Sequence, residues 1–124
     1  MRPADRKYTQ EHEWVLEEGD EVVVGITDHA AEELGDIVYL DLPEEGSEVT
    51  AGESMGTIET VKAVEELYAP VSGEVVGLNA DLADSPEIVN ASPYADGWLL
   101  RIKPSGDTVE LLTHEEYDEM VGAS

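Results

Sequence analysis

The chain has 124 residues, room for one domain with a real core, and six Lys and Arg against thirty Asp and Glu leave a formal charge of -24. That charge repels nucleic acid and anionic lipid, which excludes both as partners, and the lack of cysteine removes any disulfide framework or protein thiol. A hydrophobic fraction of 41% with recurring Val and Ile runs indicates a folded chain, and no run approaches the roughly 20 apolar residues of a membrane span, so the expected location is the cytoplasm.

Residues 1–7 are expected to form a flexible N-terminus, and MRPADRKYTQEHEW has no apolar stretch of signal-peptide length. Trp14 to Leu16 and Glu21 to Ile26 are β-prone runs separated by Glu17-Glu18-Gly19-Asp20, which predicts an antiparallel hairpin. Thr27 and Asp28 are helix caps, His29 to Leu34 has helical propensity and Gly35 suits a helix end, so a short helix is predicted over 28–34.

Further strands are predicted over Ile37 to Leu42, stopped by Pro43 and Gly46, and over Ser54 to Glu59 and Glu74 to Leu78. In GWLLRIKP, period-two alternation puts Trp98, Leu100 and Ile102 on one face and Leu99, Arg101 and Lys103 on the other, with Pro104 as terminator. Thr113-His114-Glu115-Glu116 has the spacing of a capping box, predicting a C-terminal helix over 114–121 that packs through Tyr117, Met120 and Val121. The composite is a mainly β fold.

Pro43, Gly46 and Val49 recur at the same offsets as Pro70, Gly73 and Val76, a faint echo implying two similar half-sheets with Lys62 near their junction. Lys62 is one of three lysines in the chain. On a helical reading of Thr57 to Tyr68 it lies three residues from Glu59 and four from Glu66, where ion pairs contribute only about 0.2–0.5 kcal/mol each. Against that helix stand β-branched Ile58, Thr60, Val61 and Val64 and the break at Ala69-Pro70. A strand, tight turn and strand with Lys62 at the tip is equally compatible with the pattern.

ETVKA resembles the modification site of lipoyl carrier domains, in which a lysine with an acidic residue upstream and a small residue after it sits at a β-turn. The flanks are more selective: Glu11-His12-Glu13-Trp14, GITDHAAEELGDIVYLDLPEEG from Gly25 to Gly46, APVSGEVVGLN from Ala69 to Asn79, and Pro93-Tyr94 with GWLLRIK are similar to the glycine cleavage H-protein family. The likeness runs from about Tyr8 to the C-terminal helix. Biotin carriers share the fold but usually flank the lysine with methionine, where this chain has Val61 and Ala63.

The resemblance implies two facing antiparallel sheets of lipoyl/biotinyl-domain type, a barrel-sandwich hybrid, forming a single carrier domain over 1–124. It implies lipoate in amide linkage on Lys62, and no catalysis by the carrier itself. The family shuttles the aminomethyl group of glycine from a pyridoxal-phosphate glycine decarboxylase to a tetrahydrofolate-dependent aminomethyltransferase, and electrons to dihydrolipoyl dehydrogenase; a lipoate-attaching enzyme is a further partner. Matching positions place Glu11, Glu13 and Glu66 at the family's cleft for the aminomethyl arm, with His29 in its wall. The chain departs from the family in Thr60, where serine is usual, and in Val64, Glu65 and Glu66, where small or serine residues and then aspartate are usual.

Other functions have less support. His12, His29 and His114 are widely separated, no hydrolase serine motif occurs, Asp81 to Asp84 lacks the pattern of a calcium loop, and Glu11-His12-Glu13 has no companion cluster of metal ligands. The alternatives are a lipoyl donor or relay, a lipoyl domain serving 2-oxo acid dehydrogenases, and an acidic scaffold that is never modified.

So large an uncompensated charge destabilises the compact state unless salt screens it, the Debye length falling to about 3 Å at 1 M, and it points to a salt-loving, halophilic source. The midpoint of thermal unfolding is therefore expected to rise between low and molar salt; an unchanged or lower midpoint contradicts this.

Overall fold

Gly19 adopts a φ of +67° in a two-residue loop that brings Glu18 opposite Glu21, a conformation a side chain would resist. The hairpin so formed, β2 (Glu13–Glu18) and β3 (Glu21–Ile26), is the expected one, lengthened at both ends of its first strand. The computed structural model describes residues 3–122.

Two antiparallel sheets are built around that hairpin. The larger has the order β1-β2-β3-β9-β8-β5, with β1 spanning Lys7–Tyr8, β5 Glu48–Val49, β8 Val71–Leu78 and β9 Leu100–Thr108. The smaller has the order β4-β6-β7, spanning Ile37–Asp41, Ser54–Thr60 and Val64–Tyr68. Val15, Val22, Val24, Val75 and Ile102 of the first sheet and Ile37, Ile58 and Leu67 of the second share one buried apolar cluster. Burial of such aliphatic side chains is the main term holding the sheets together, about 1.5–3 kcal/mol for each one fully covered.

The first helix, α1 (Asp28–Leu34), is capped by Thr27, whose hydroxyl accepts the Ala30 N–H, and ends at Gly35 with φ +79°. The last, α4 (His114–Gly122), carries the expected capping box: Glu116 accepts from the Thr113 N–H at 2.9 Å and Thr113 Oγ1 accepts from the Glu116 N–H at 3.1 Å. Fully buried Tyr117 joins Tyr8, Trp14 and Val23 in a second cluster, with Met120 and Val121 packed against it. Trp14 faces Gly25 across the hairpin, and a Cβ built on Gly25 would stand 2.4 Å from the indole, so glycine is required for the ring to lie flat there.

In the segment 1–7, Lys7 pairs with Val15 in β1 and the Arg6 guanidinium lies 4.6 Å from the Trp14 ring centre; residues 1–2 lie outside the described residues. Two expectations for the last strand need correction. Pro104 does not end the last strand. It lies beyond Ile102, the last residue paired with β3, and beside a bulge in the pairing with β8, positions where a missing N–H costs little. Nor does Trp98 share a face with Leu100 and Ile102. The strand begins only at Leu100, so Leu99 enters the main core with them while Trp98 sits under the Arg101 guanidinium.

Two single-turn helices are additional: α2 (Asp81–Asp84), anchored by buried Leu82, and α3 (Ile88–Ala91), anchored by Val89. The Pro-Gly-Val echo marks real geometry but not two half-sheets. Each copy follows a strand of the smaller sheet and leads into the larger one, where the two meet as β5 and β8 with Val49 opposite Gly73. Lys62 is at the tip of the β6–β7 hairpin instead of at that junction.

Candidate functional site

Strand, turn and strand is the observed form of Ser54 to Tyr68. Glu59 pairs with Val64, the Thr60 N–H donates to the Ala63 carbonyl at 2.8 Å, and only Val61 and Lys62 are left in the loop. Neither has positive φ, so the loop is not of the mirror-image kind most two-residue hairpins use. The Thr60 hydroxyl closes it instead, accepting the N–H groups of Lys62 at 3.3 Å and Ala63 at 3.1 Å while donating to the Ala63 carbonyl at 3.2 Å. A serine hydroxyl has the same reach, so the departure at this position leaves the closure intact. The Val61 N–H donates to the Asp36 carbonyl at 3.1 Å, and Asn90 holds the same segment by accepting from the Ile37 N–H and donating to the Gly35 carbonyl.

The turn therefore stands on a braced base while its side chains face outward. Lys62 is exposed, with no ion pair among the described residues, and its stem passes over Gly35, where a built Cβ would meet Cε at 3.7 Å. The expected pairs with Glu59 and Glu66 do not form: the hairpin puts Glu59 opposite Val64, and Glu66 accepts a hydrogen bond from Ser54.

Gly35 follows Leu34, and Leu34 lines a cavity of about 480 Å³. The cavity runs along the free edge of β7, which contributes Glu65, Glu66, Leu67 and Tyr68 in succession; α1 supplies Ala30, Glu33 and Leu34, and the approach to β2 supplies Glu11, His12 and Glu13. Its floor is apolar Ile26 and Ile58.

Glu13 is the deepest carboxyl. It begins β2 opposite Ile26 on the core side and is 2% exposed. One oxygen accepts from the Thr9 hydroxyl at 3.2 Å and the other from the Tyr68 N–H at 3.1 Å, a backbone donor that the sheet edge leaves without a strand partner. Loss of hydration outweighs these bonds and, with the neighbouring Glu11 charge, pushes its pKa up to about 8.

Of the residues expected at the site, Glu11, Glu13 and Glu66 line the cavity along the edge of β7, and Lys62 stands at the hairpin tip from which that strand starts. His29 lies behind the lining: its ring meets that of His12 at a tilt of 40°, centroids 4.9 Å apart, and its Nε2 lies 3.5 Å from Glu33. Three polar lining residues were not anticipated. Glu33 falls on the Ala30–Leu34 face of α1, which helical spacing would have identified. Glu65 needs the register that sets it opposite Ile58. His12 turns inward because it holds φ +69°, with its Nδ1 2.7 Å from the Tyr117 hydroxyl. Among the described residues no group of three or more His, Asp or Glu is arranged to hold a metal.

The site offers a reachable primary amine beside a pocket with an apolar floor and five carboxylates in its lining. Such a pocket suits a cation on an apolar stem, held by charge-assisted hydrogen bonds.

Comparison with known proteins gives the family. The family described as Glycine cleavage H-protein matches residues 6–124. The glycine cleavage system H protein of Rubrobacter xylanophilus is 59% identical over 115 residues, 93% of this chain and 90% of that one. Its counterpart in Halalkalibacterium halodurans is 54% identical over 121 residues, 96% and 94% of the two chains. A crystal structure of a glycine cleavage system H protein from Mycobacterium marinum superposes with a TM-score of 0.92 at 44% identity, covering 98% of this chain and 99% of that one.

Glu13 titrates near 4.5 in the unfolded chain and near 8 in the folded one. Its contribution to stability is then complete below the unfolded value and lost as pH rises through about 8. Glu13→Gln copies the protonated form at every pH, so its stability relative to the parent should climb by at least about 1 kcal/mol between pH 5 and 8. Denaturant titrations across that range measure it, and a constant difference contradicts the buried-acid assignment.

Proposed function

The chain belongs to the glycine cleavage H-protein family, and from that premise we propose that it is a lipoyl carrier of the glycine cleavage system, with lipoate joined to Lys62. Its fold is the barrel-sandwich hybrid of lipoyl domains; we take the whole chain as one carrier domain and the cytoplasm as its location. No helix among the described residues is long and apolar enough to cross a membrane.

The observation that carries this reading is the position of the amine: exposed, outside any ion pair among the described residues, and on a braced two-residue loop that leads into β7, the strand whose edge lines the cavity. These residues fit the group. Acylation needs a primary amine that an enzyme can enclose, and an arm attached there can either extend into solvent or fold back past Gly35 toward Leu34. Joined to Lys62, lipoate supplies the disulfide and dithiol chemistry that a chain without cysteine lacks, accepting and yielding the aminomethyl group and electrons.

The remaining roles belong to the protein. Ile26, Ile58 and Leu67 exclude water from the cavity floor. Glu13 is held protonated in the empty cavity and gives up its proton when a cationic amine enters, because the opposite charge reverses the balance that burial sets. Glu11 and Glu66 add negative potential at the wall. Glu66, though one carbon longer than the usual aspartate, is drawn toward Ser54, which moderates the difference in reach.

The same lining separates this reading from service to 2-oxo acid dehydrogenases. Acyl groups carried there are neutral or anionic and gain nothing from five acidic side chains, whereas an aminomethyl cargo carries an ammonium. The partners that follow are the decarboxylase, the aminomethyltransferase, dihydrolipoyl dehydrogenase and the enzyme that attaches lipoate.

Reconstitution with glycine decarboxylase tests the carrier role. The lipoylated parent should support exchange of bicarbonate into glycine and Lys62→Ala should not; equal exchange by Lys62→Ala removes the proposal. In the loaded protein, Glu13→Gln is expected to shorten the lifetime of the aminomethyl group several-fold, and an unaltered lifetime takes Glu13 out of the cavity's function.

A further inference from the structure

The loop between β1 and β2 closes on Thr9. Its N–H donates to the Glu13 carbonyl at 2.9 Å, its carbonyl accepts from the His12 N–H at 3.1 Å, and it is as deeply buried as Glu13 itself. The hydroxyl makes three hydrogen bonds, each 3.2 Å long: it accepts the N–H groups of Glu11 and Glu13 and donates to Glu13 Oε1. A hydroxyl has two acceptor positions and one hydrogen. Both acceptor positions are taken by backbone donors that cannot reverse, so the hydrogen is committed to the Glu13 carboxyl.

The Tyr68 N–H, which holds the other oxygen, cannot reverse either. Each carboxyl oxygen therefore accepts from a fixed donor, and the proton of neutral Glu13 finds no acceptor in either partner. It is left to face open space, and two spaces border the carboxyl. One is the cavity of about 480 Å³ described above. The other, of about 330 Å³, is walled by Thr9, Val109 and Glu110 and shares Glu11, Glu13 and Tyr68 with the first.

We propose that Thr9 is a positioning residue for the buried acid: its committed hydroxyl fixes Glu13 Oε1 as an acceptor, which turns the acid proton toward the cavities and keeps the carboxylate's hydrogen bonds in place before a cation arrives. The inference rests on the carrier reading above for the identity of that cation. Ionisation then requires little rearrangement, because donors already aimed at the carboxylate need not move. When a cation enters the first cavity, the Glu13 O–H bond breaks, its electron pair stays on the carboxylate, and the proton passes to water. The second cavity supplies that water once the first is filled, its volume being enough for about ten molecules.

No fixed positive charge shares this task. The titratable groups that line the two cavities with Glu13 are Glu11 and His12 ahead of β2, Glu33 of α1, Glu65, Glu66 and Tyr68 of β7, and Glu110 after β9. Among the described residues no lysine or arginine lines either cavity. Hydrogen bonds from Thr9 and Tyr68 are therefore what favours the ionised form against burial and the neighbouring Glu11 charge. The Tyr68 donor belongs to the backbone, which leaves Thr9 as the side chain that sets how readily Glu13 ionises. Valine has nearly the shape of threonine without its hydroxyl, whereas serine keeps all three bonds.

The first measurement needs no cofactor. In unmodified protein labelled at the glutamate side-chain carboxyl carbon, the Glu13 signal, identified by its loss in Glu13→Gln, is followed by NMR across its titration. Thr9→Val should move the midpoint upward, and Thr9→Ser should leave it at the parental value. Thr9→Cys, close in size but a weaker donor, should move it in the same direction as valine and carries the comparison if the valine variant does not fold. An unchanged midpoint in the variants without the hydroxyl, or an equal shift in Thr9→Ser, overturns the proposal. In the loaded protein, Thr9→Val should shorten the lifetime of the aminomethyl group by about threefold and shorten it no further in the Glu13→Gln background. An equal loss in both backgrounds makes Thr9 merely structural and also overturns the proposal. Failure of the lipoylated parent to load defeats the carrier reading alone, since the titration is decided without the cofactor.

Discussion

A single hydroxyl holds the site open. The chain reverses between β6 and β7 with only two residues, neither in the left-handed conformation that such loops usually require, and Thr60 Oγ1 accepts the two N–H groups that the reversal would leave stranded. Those donors are satisfied within the turn, and the Lys62 side chain is left exposed beyond it. The Asp36 carbonyl and the Asn90 amide fix the base of the loop to the end of α1. Under the proposed function, a flexible arm on Lys62 would be carried by a rigid support.

The second constraint is the free edge of β7. An unpaired strand edge exposes backbone donors and acceptors, and here the Tyr68 N–H is bonded to the Glu13 carboxyl instead of another strand. That bond fixes one wall of the cavity and buries an acid under conditions that keep it protonated when empty. With thirty carboxylates in the chain, a charged Glu13 would add little to the overall field. Under the proposed function its value lies in being neutral until a cation arrives. The pocket combines an apolar floor with one acid that can ionise in place, so a hydrophobic arm and an ammonium head are both accommodated without a permanently buried charge, which would be costly.

Much of this was legible from local chemistry. Gly19, the Thr27 cap and Gly35 end, and the Thr113–Glu116 box all act within a few residues, and each occurs where the pattern places it. What escaped depends on contacts distant in sequence. The lysine segment has helical and strand periodicity in equal measure, and the decision is made by pairing with β4 and by Asp36. Trp98 left the predicted face because the strand starts two residues later, and Pro104 was tolerated because β3 had already ended. At the site, Glu11, Glu13, Glu66 and Lys62 came from family resemblance, while Glu65 required strand register and Glu33 the correct face of α1. His29, also taken from the resemblance, stands behind the lining against His12 and Glu33, with Ala30 beside it in the cavity.

The most direct test of a carrier role is the mass of the native protein isolated from its own cells, followed by peptide mapping. Lipoylation predicts a mass increment equal to one lipoyl amide, located on the peptide containing Lys62 and absent after its replacement by alanine. A native protein with only the mass of its sequence, or an increment mapped to Lys7 or Lys103, would contradict it.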